Sequence, residues 1–200
     1  MNIHETAIVH PNATLADDVE IQAYSIVGDQ VTIGEGTVVG PHCVIEGHTT
    51  IGKCNRFFSG AQIGVLSQDL KHGKGLVGRT IIGDDNQFRE HTSVSASTME
   101  EDSDDHRVTT IGNGSLFMAN SHIAHDCHIG DNIVMANCVC LSGHVDIQDY
   151  VIIGGLSGVH QLSVVGTLAF VGRISPFPKD CAPVLICACN PARPLIPYYV

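Results

Sequence analysis

One spacing governs how this chain can fold. From Ile3, every sixth residue is apolar through Val9, Leu15 and Ile21 and on to Phe57 and Ile63. The residue after the apolar one is often glycine, as at Gly28, Gly34, Gly40, Gly52 and Gly64. The residue two before it is usually small or β-branched, as at Ala7, Ser25, Thr37 and Cys43. The phase breaks after Ile63, returns at Ile82, Phe88 and Val94, breaks again, and then runs unbroken from Ile111 to Phe177. A period of six fits neither a helix, with its period of 3.6, nor a simple alternating strand, with its period of 2. It fits a short strand and a turn, repeated. Three such units close a triangular coil, so that each position stacks on the one three hexads further along. The aliphatic residue points into the prism and the small residue lets the corner close. The glycine is expected there for backbone angles that other residues avoid. Stacked coils pair their backbones about 4.8 Å apart, and each coil rests only on its neighbours. The expected fold is all-β, a parallel β-helix built as a hexapeptide-repeat solenoid.

Two segments carry no hexad phase, LSQDLKHGKGLVGR from Leu66 to Arg79 and ASTMEEDSDDHRVT from Ala96 to Thr109. The phased blocks on either side, Ile63 to Ile82 and Val94 to Ile111, are offset by close to one coil. Both segments are expected as loops ejected from the prism. The first mixes Asp69, Lys71 and His72 with glycine, as binding loops do. The second is acidic and reads as a solvated surface loop. The organisation expected is a β-helix over residues 1–190 with loops near 66–79 and 96–109, followed by a short C-terminal tail over 191–200.

Composition narrows the function. Aromatics make up 5% of the chain and tryptophan is absent, so the core must come from regularly placed small aliphatic residues. A net charge of −11 leaves no basic stripe to neutralise phosphates and argues against nucleic acid as a partner. The eight cysteines include no CxxC pair, and MNIHETAIVHP at the N-terminus lacks an apolar signal core. No run approaches the length of a transmembrane helix. Reduced, mostly buried thiols in a cytoplasmic protein without an integral membrane segment are expected.

The stretch HIAHDCHIGDN, residues 122–132, holds His122, His125, His128, Asp126 and Cys127. The coil period gives it geometry. One coil beyond His125 lies Gly143, beside His144, and two coils beyond lies Gln161, beside His160. These residues should line one polar stripe. A lone turn histidine is usually a solvated surface residue, but four aligned by the coil period ask for a function. Three histidines can hold zinc, although the wide spacing of His125, His144 and His160 along a stripe suits a groove more than a tetrahedral pocket. A carboxylate directly after His125 suits acid–base work, because it can fix the imidazole tautomer and stabilise its protonated form. Nothing in the sequence around Cys127 suggests an activated thiol.

The segments SQDLK (67–71), NSHIAHDC (120–127), LSGHV (141–145), GVHQ (158–161) and CNPARP (189–194) resemble the UDP-N-acetylglucosamine O-acyltransferases of lipid A biosynthesis. The resemblance covers almost the whole chain, in order, and implies a left-handed β-helix and a homotrimer with its site between neighbouring prisms. It implies transfer of an (R)-3-hydroxyacyl chain from acyl carrier protein to the 3-position of a UDP-sugar, with no cofactor. His125 would be the general base, Asp126 would orient it, and the Gly143 N–H would face the thioester oxyanion. Asp69, Lys71, His122, His144, His160 and Gln161 would hold sugar and acyl groups, with the Asp69 loop reaching the His125 stripe of another subunit. Gln68 would meet the acyl 3-hydroxyl. Arg173 matches a position that sets acyl length, where long-chain members carry glycine, so a shorter chain is expected. The chain departs from the family at Ser95 and Ala96, where a histidine and an arginine are usual, and at Cys189, where glycine is usual. The resemblance also implies that the short tail over 191–200 stands in place of the family's C-terminal helical domain. A non-catalytic scaffold paralogue and, at greater distance, a zinc-dependent hydratase of the carbonic anhydrase type are the alternatives.

Overall fold

A computed structural model of the chain describes residues 1–70, 72, 78–98, 107–188 and 193–197. The chain runs strand, corner, strand, corner, strand, corner, and successive strands fall on three faces. Leu116–Phe117 lies on the first face, His122–Ile123 on the second and His128–Ile129 on the third. The faces are sheets of 11, 9 and 8 strands, parallel throughout except at the last strand of the first. On the second face Ile123 pairs with Leu141 and Leu141 with Val159, a step of three hexads each time. The hexad residue is the second of each strand pair and is the one that turns inward; Ile21, Val27, Ile33, Val39 and Ile45 are all buried. Stacking repeats this burial coil after coil. Phe57, Phe88 and Phe117 form a column on the first face with ring centroids 4.9 Å apart.

The unphased segments do not replace a coil. Ile63 pairs with Val94 and Val94 with Ile123, so each of these two coils closes only after a full three hexads and an insertion besides. Each offset seen in sequence, Ile63 to Ile82 and Val94 to Ile111, is therefore one hexad plus an insertion, not nearly one coil. Both insertions leave from the corner between the second and third faces, because the strand pairs flanking them belong to those faces.

Gly64 takes the positive φ expected of these glycines (φ 70°), but others of the repeat are there for a different reason. Gly34 and Gly40 do not adopt positive φ; a Cβ on Gly34 would lie 2.7 Å from the Gly52 carbonyl oxygen, and one on Gly40 would lie 2.5 Å from that of Phe57. Close approach of the next coil excludes a side chain. The left-handed angle falls two residues later, mostly on other residue types, such as His42 (φ 58°), Asn120 (φ 59°) and His144 (φ 58°).

Corners that carry buried polar groups are laddered. The Asn55 Oδ1 accepts the Asn86 N–H at 3.0 Å, and the Asn86 Oδ1 accepts the Ser115 N–H at 2.9 Å. The Asn86 amide donates to the Gly112 carbonyl at 2.9 Å. Asn86→Ala leaves the buried Ser115 N–H and the half-buried Gly112 carbonyl without these partners. We expect it to lower unfolding stability by about 1–3 kcal/mol, measured by urea denaturation, with no change in strand content.

At the C-terminal end Leu185–Ala188 adds in parallel to the first face, and Arg193–Pro197, expected within a separate tail, pairs antiparallel with it.

Candidate active site

The corner between the second and third faces, just beyond the second insertion, collects the titratable side chains. The turn after His122–Ile123 carries His125 and Asp126, and the same turn one coil on carries Gly143 and His144. The backbone locks the two turns together: His144 N–H donates to the His125 carbonyl at 3.0 Å. Asp126 takes the left-handed corner angle (φ 59°), which turns its carboxylate back beneath the imidazole. His125 Nδ1 lies 2.8 Å from Asp126 Oδ2. Asp126 is 3% exposed and His125 9% exposed, so water hardly screens the pair. The ring of His144 stands edge-on to that of His125, with centroids 5.2 Å apart.

Gly143 is glycine because of the imidazole. A Cβ there would collide with His125 Cε1 and Nε2. Its N–H makes no hydrogen bond among the described residues. Asp69 Oδ2 approaches His125 Nε2 at 3.7 Å within the same chain. Asp69 thus meets the His125 stripe of its own chain, without the other subunit expected to bring them together.

His122 sits on the second face with Nδ1 2.8 Å from Ser93 Oγ. Burial holds its pKa below the ordinary imidazole value, and charge on the neighbouring His125 adds to the effect. Such a group binds fewer protons in the folded than in the unfolded state, so stability falls as pH drops below about 6.5. His122→Gln should flatten that loss, read as the change of Tm with pH.

His160 and Gln161 lie further along the same edge, both exposed, with His160 Nδ1 3.1 Å from the Gln161 carbonyl oxygen. His160 joins Cys140, Ser142, Gly158, Pro176 and Phe177 around an open groove of about 270 Å³ that continues the second face away from His125. Gln68 is exposed. Arg173 is exposed at the opposite corner, between the first and second faces, and within one chain the structure does not bring it to the cluster. Lys71 and Cys189 lie outside the described residues. Ser95 and Ala96, the departures at the root of the second insertion, are both buried.

Two rival chemistries find little support in this geometry. Cys127 is buried, its thiol donates to the Ser142 carbonyl at 3.2 Å, and burial pushes its pKa up to about 12. It is not a nucleophile at neutral pH. Among the described residues His125, Asp126 and His144 are the one group whose ligand atoms converge, within 4.8 Å. Yet Asp126 is already held by donors of the protein: Thr98 Oγ1 at 2.6 Å, the Thr98 N–H at 3.2 Å and His125 Nδ1. A carboxylate so occupied orients a histidine better than it binds a cation.

Thr98 and Thr109, at the two roots of the acidic insertion, were not visible as site residues in the sequence. Thr109 Oγ1 accepts the Asp126 N–H at 2.9 Å. The reading of that insertion as only a solvated loop does not hold at its roots. The available signal was its position: it replaces the corner immediately before HIAHD in the stack.

Residues 109–143 match the bacterial transferase hexapeptide family (six repeats). The chain superposes on the UDP-N-acetylglucosamine O-acyltransferase of Moraxella catarrhalis with a TM-score of 0.92 at 41% identity, covering 98% of this chain and 74% of that one. The acyltransferase of Francisella novicida gives 0.92 at 37%, covering 96% and 69%. Fold and repeat thus define a hexapeptide-repeat transferase, and the coil is left-handed. The acyl-[acyl-carrier-protein]–UDP-N-acetylglucosamine O-acyltransferase of Campylobacter concisus is 35% identical over 191 residues, 96% of this chain and 71% of its own length. The chain belongs to that family of acyltransferases.

Proposed function

We propose that this protein transfers an (R)-3-hydroxyacyl chain from acyl carrier protein to the 3-hydroxyl of UDP-N-acetylglucosamine, the first step of lipid A biosynthesis. The observation that carries the reading is the buried His125–Asp126 pair, with Nε2 3.7 Å from Asp69 and Gly143 so close to the ring that a Cβ would not fit. His125 Nε2 takes the proton of the sugar hydroxyl as its oxygen attacks the thioester carbonyl. Asp126 stabilises the imidazolium. The Gly143 N–H donates to the oxyanion, a contact whose loss typically costs about 100-fold or more in rate. The C–S bond then breaks, and the imidazolium returns its proton to the departing thiolate. The thioester is already activated, so neither a covalent enzyme intermediate nor a cofactor is needed.

Asp69 and Lys71 hold the sugar, and His122, His144, His160 and Gln161 line its approach and the start of the acyl groove. Gln68 meets the acyl 3-hydroxyl. The groove beside His160 takes the acyl chain, and its apolar floor of Gly158, Pro176 and Phe177 suits one. The active form is a homotrimer in the cytoplasm, and Arg173 of a neighbouring prism shortens the groove. No helix among the described residues is long and apolar enough to cross a membrane.

The test is acyl transfer from a panel of (R)-3-hydroxyacyl carrier proteins to UDP-N-acetylglucosamine, with the 3-amino sugar in competition. Turnover best with a shorter donor supports both the reaction and the Arg173 role; equal or better turnover with a long-chain donor removes the latter. Folded trimer without turnover on any donor favours a scaffold, and stoichiometric zinc in the purified protein would revive the hydratase.

A further inference from the structure

The acidic insertion meets the catalytic pair at both of its roots, and the hydrogen bonds there have only one consistent direction. Arg107, on the return limb, places Nη1 3.2 Å from Thr98 Oγ1. A guanidinium can only donate, so the Thr98 oxygen accepts from it and the hydroxyl proton is left for the next partner. That partner is Asp126 Oδ2, 2.6 Å away. The Thr98 N–H also points to this carboxylate, 3.2 Å from Oδ1 and 3.3 Å from Oδ2. On the other limb Thr109 Oγ1 accepts the Asp126 N–H at 2.9 Å, which fixes the backbone of the same residue. Asp126 has almost no contact with solvent to compete with these bonds.

We propose that Thr98 is a positioning residue of the acyl transfer. With Arg107 setting the direction of its hydroxyl, it holds Asp126 as a pure acceptor, so that His125 carries its proton on Nδ1 and presents a bare Nε2 to the acceptor sugar. This rests on the reading of His125 as the general base and adds the device that selects its tautomer. Thr98 makes no hydrogen bond to His125 among the described residues. It acts through Asp126, and partners of this kind typically change activity by about 10- to 100-fold when removed. The insertion is thereby part of the site's machinery at its roots.

The test uses the full chain with (R)-3-hydroxyacyl carrier protein and UDP-N-acetylglucosamine. T98V keeps the shape of the side chain and removes the hydroxyl; T98S keeps the hydroxyl. T98V should lose about 10- to 100-fold in kcat with KM for the UDP-sugar little changed, and T98S should stay near the unsubstituted rate. Nitrogen-15 NMR of the unsubstituted protein should show His125 as the Nδ1–H tautomer, a reading that stands even if T98V does not fold. Unchanged kcat in T98V, a loss that T98S shares, or an Nε2–H tautomer each overturns the role. H125A is assayed alongside. If H125A turns over normally, the general-base reading itself fails; if H125A is inactive while T98V behaves as the unsubstituted protein, only the Thr98 role does.

Discussion

His125→Ala is expected to lower kcat for acyl transfer by about a thousandfold, within the range that a positioned general base contributes, and to leave the fold intact. Among the described residues the imidazole is the group in this corner that is hydrogen-bonded to a buried carboxylate and has its other ring nitrogen toward Asp69. Its side chain packs at a corner, outside the aliphatic column of Ile123, Leu141 and Val159, so the core loses nothing. The bond from His144 N–H to the carbonyl of residue 125 is a backbone bond and survives the change. Circular dichroism and Tm should therefore match the unsubstituted protein while turnover disappears. Activity within tenfold of the unsubstituted protein would sink the assignment and move attention to His144, whose Nε2 lies 3.7 Å from Asp126 Oδ2.

Gly143→Ala should cost about 100-fold or more in kcat, and the reason separates two roles of one residue. Alanine keeps the backbone N–H, so the oxyanion donor remains. The backbone at this position accepts a side chain, since its φ is not in the left-handed region. The added methyl, however, falls on the His125 ring. The ring must swing away, breaking its 2.8 Å contact with Asp126 or losing its aim at the substrate. Loss of rate with an unchanged Tm would mean that ring position is what the glycine protects. Full activity would mean that the turn can open enough to admit a methyl beside the imidazole.

Most of the fold could be read from the sequence because each hexad residue repeats one physical demand, an aliphatic side chain turned into the prism. Phe57, Phe88 and Phe117 fall in one column even though unphased chain separates Phe57 from Phe88 and Phe88 from Phe117. The histidine stripe was equally legible, since Gly143 and Gln161 follow His125 at the coil period. Thr98, Thr109 and Arg107 were not, because unphased chain has no register from which to project neighbours. The same lack hid the approach of Asp69 to His125 within one chain. Gly64 has the expected angle, but Gly34 and Gly40 were located and misexplained: a period shows where a residue recurs, and only the packing of the next coil shows that a Cβ there would meet a carbonyl oxygen. Arg173 stands at another corner, and a role for it depends on how prisms associate.

The left-handed corner angle of Asp126 also bears on how related chains should be compared. Positive φ is tolerated best by glycine, asparagine and aspartate, because most side chains are strained there. Aspartate and asparagine are therefore tolerated at such a turn whether or not any reaction takes place, although this chain also places Leu156, Leu162 and Ile174 at the same angle. A relative that drifted away from catalysis could keep an aspartate, or slip to asparagine, with no penalty to its backbone. The histidine one place earlier enjoys no such shelter. When homologues are sorted into working and lapsed enzymes, its presence is the more informative letter, and asparagine is the substitution of Asp126 that isolates chemistry from conformation.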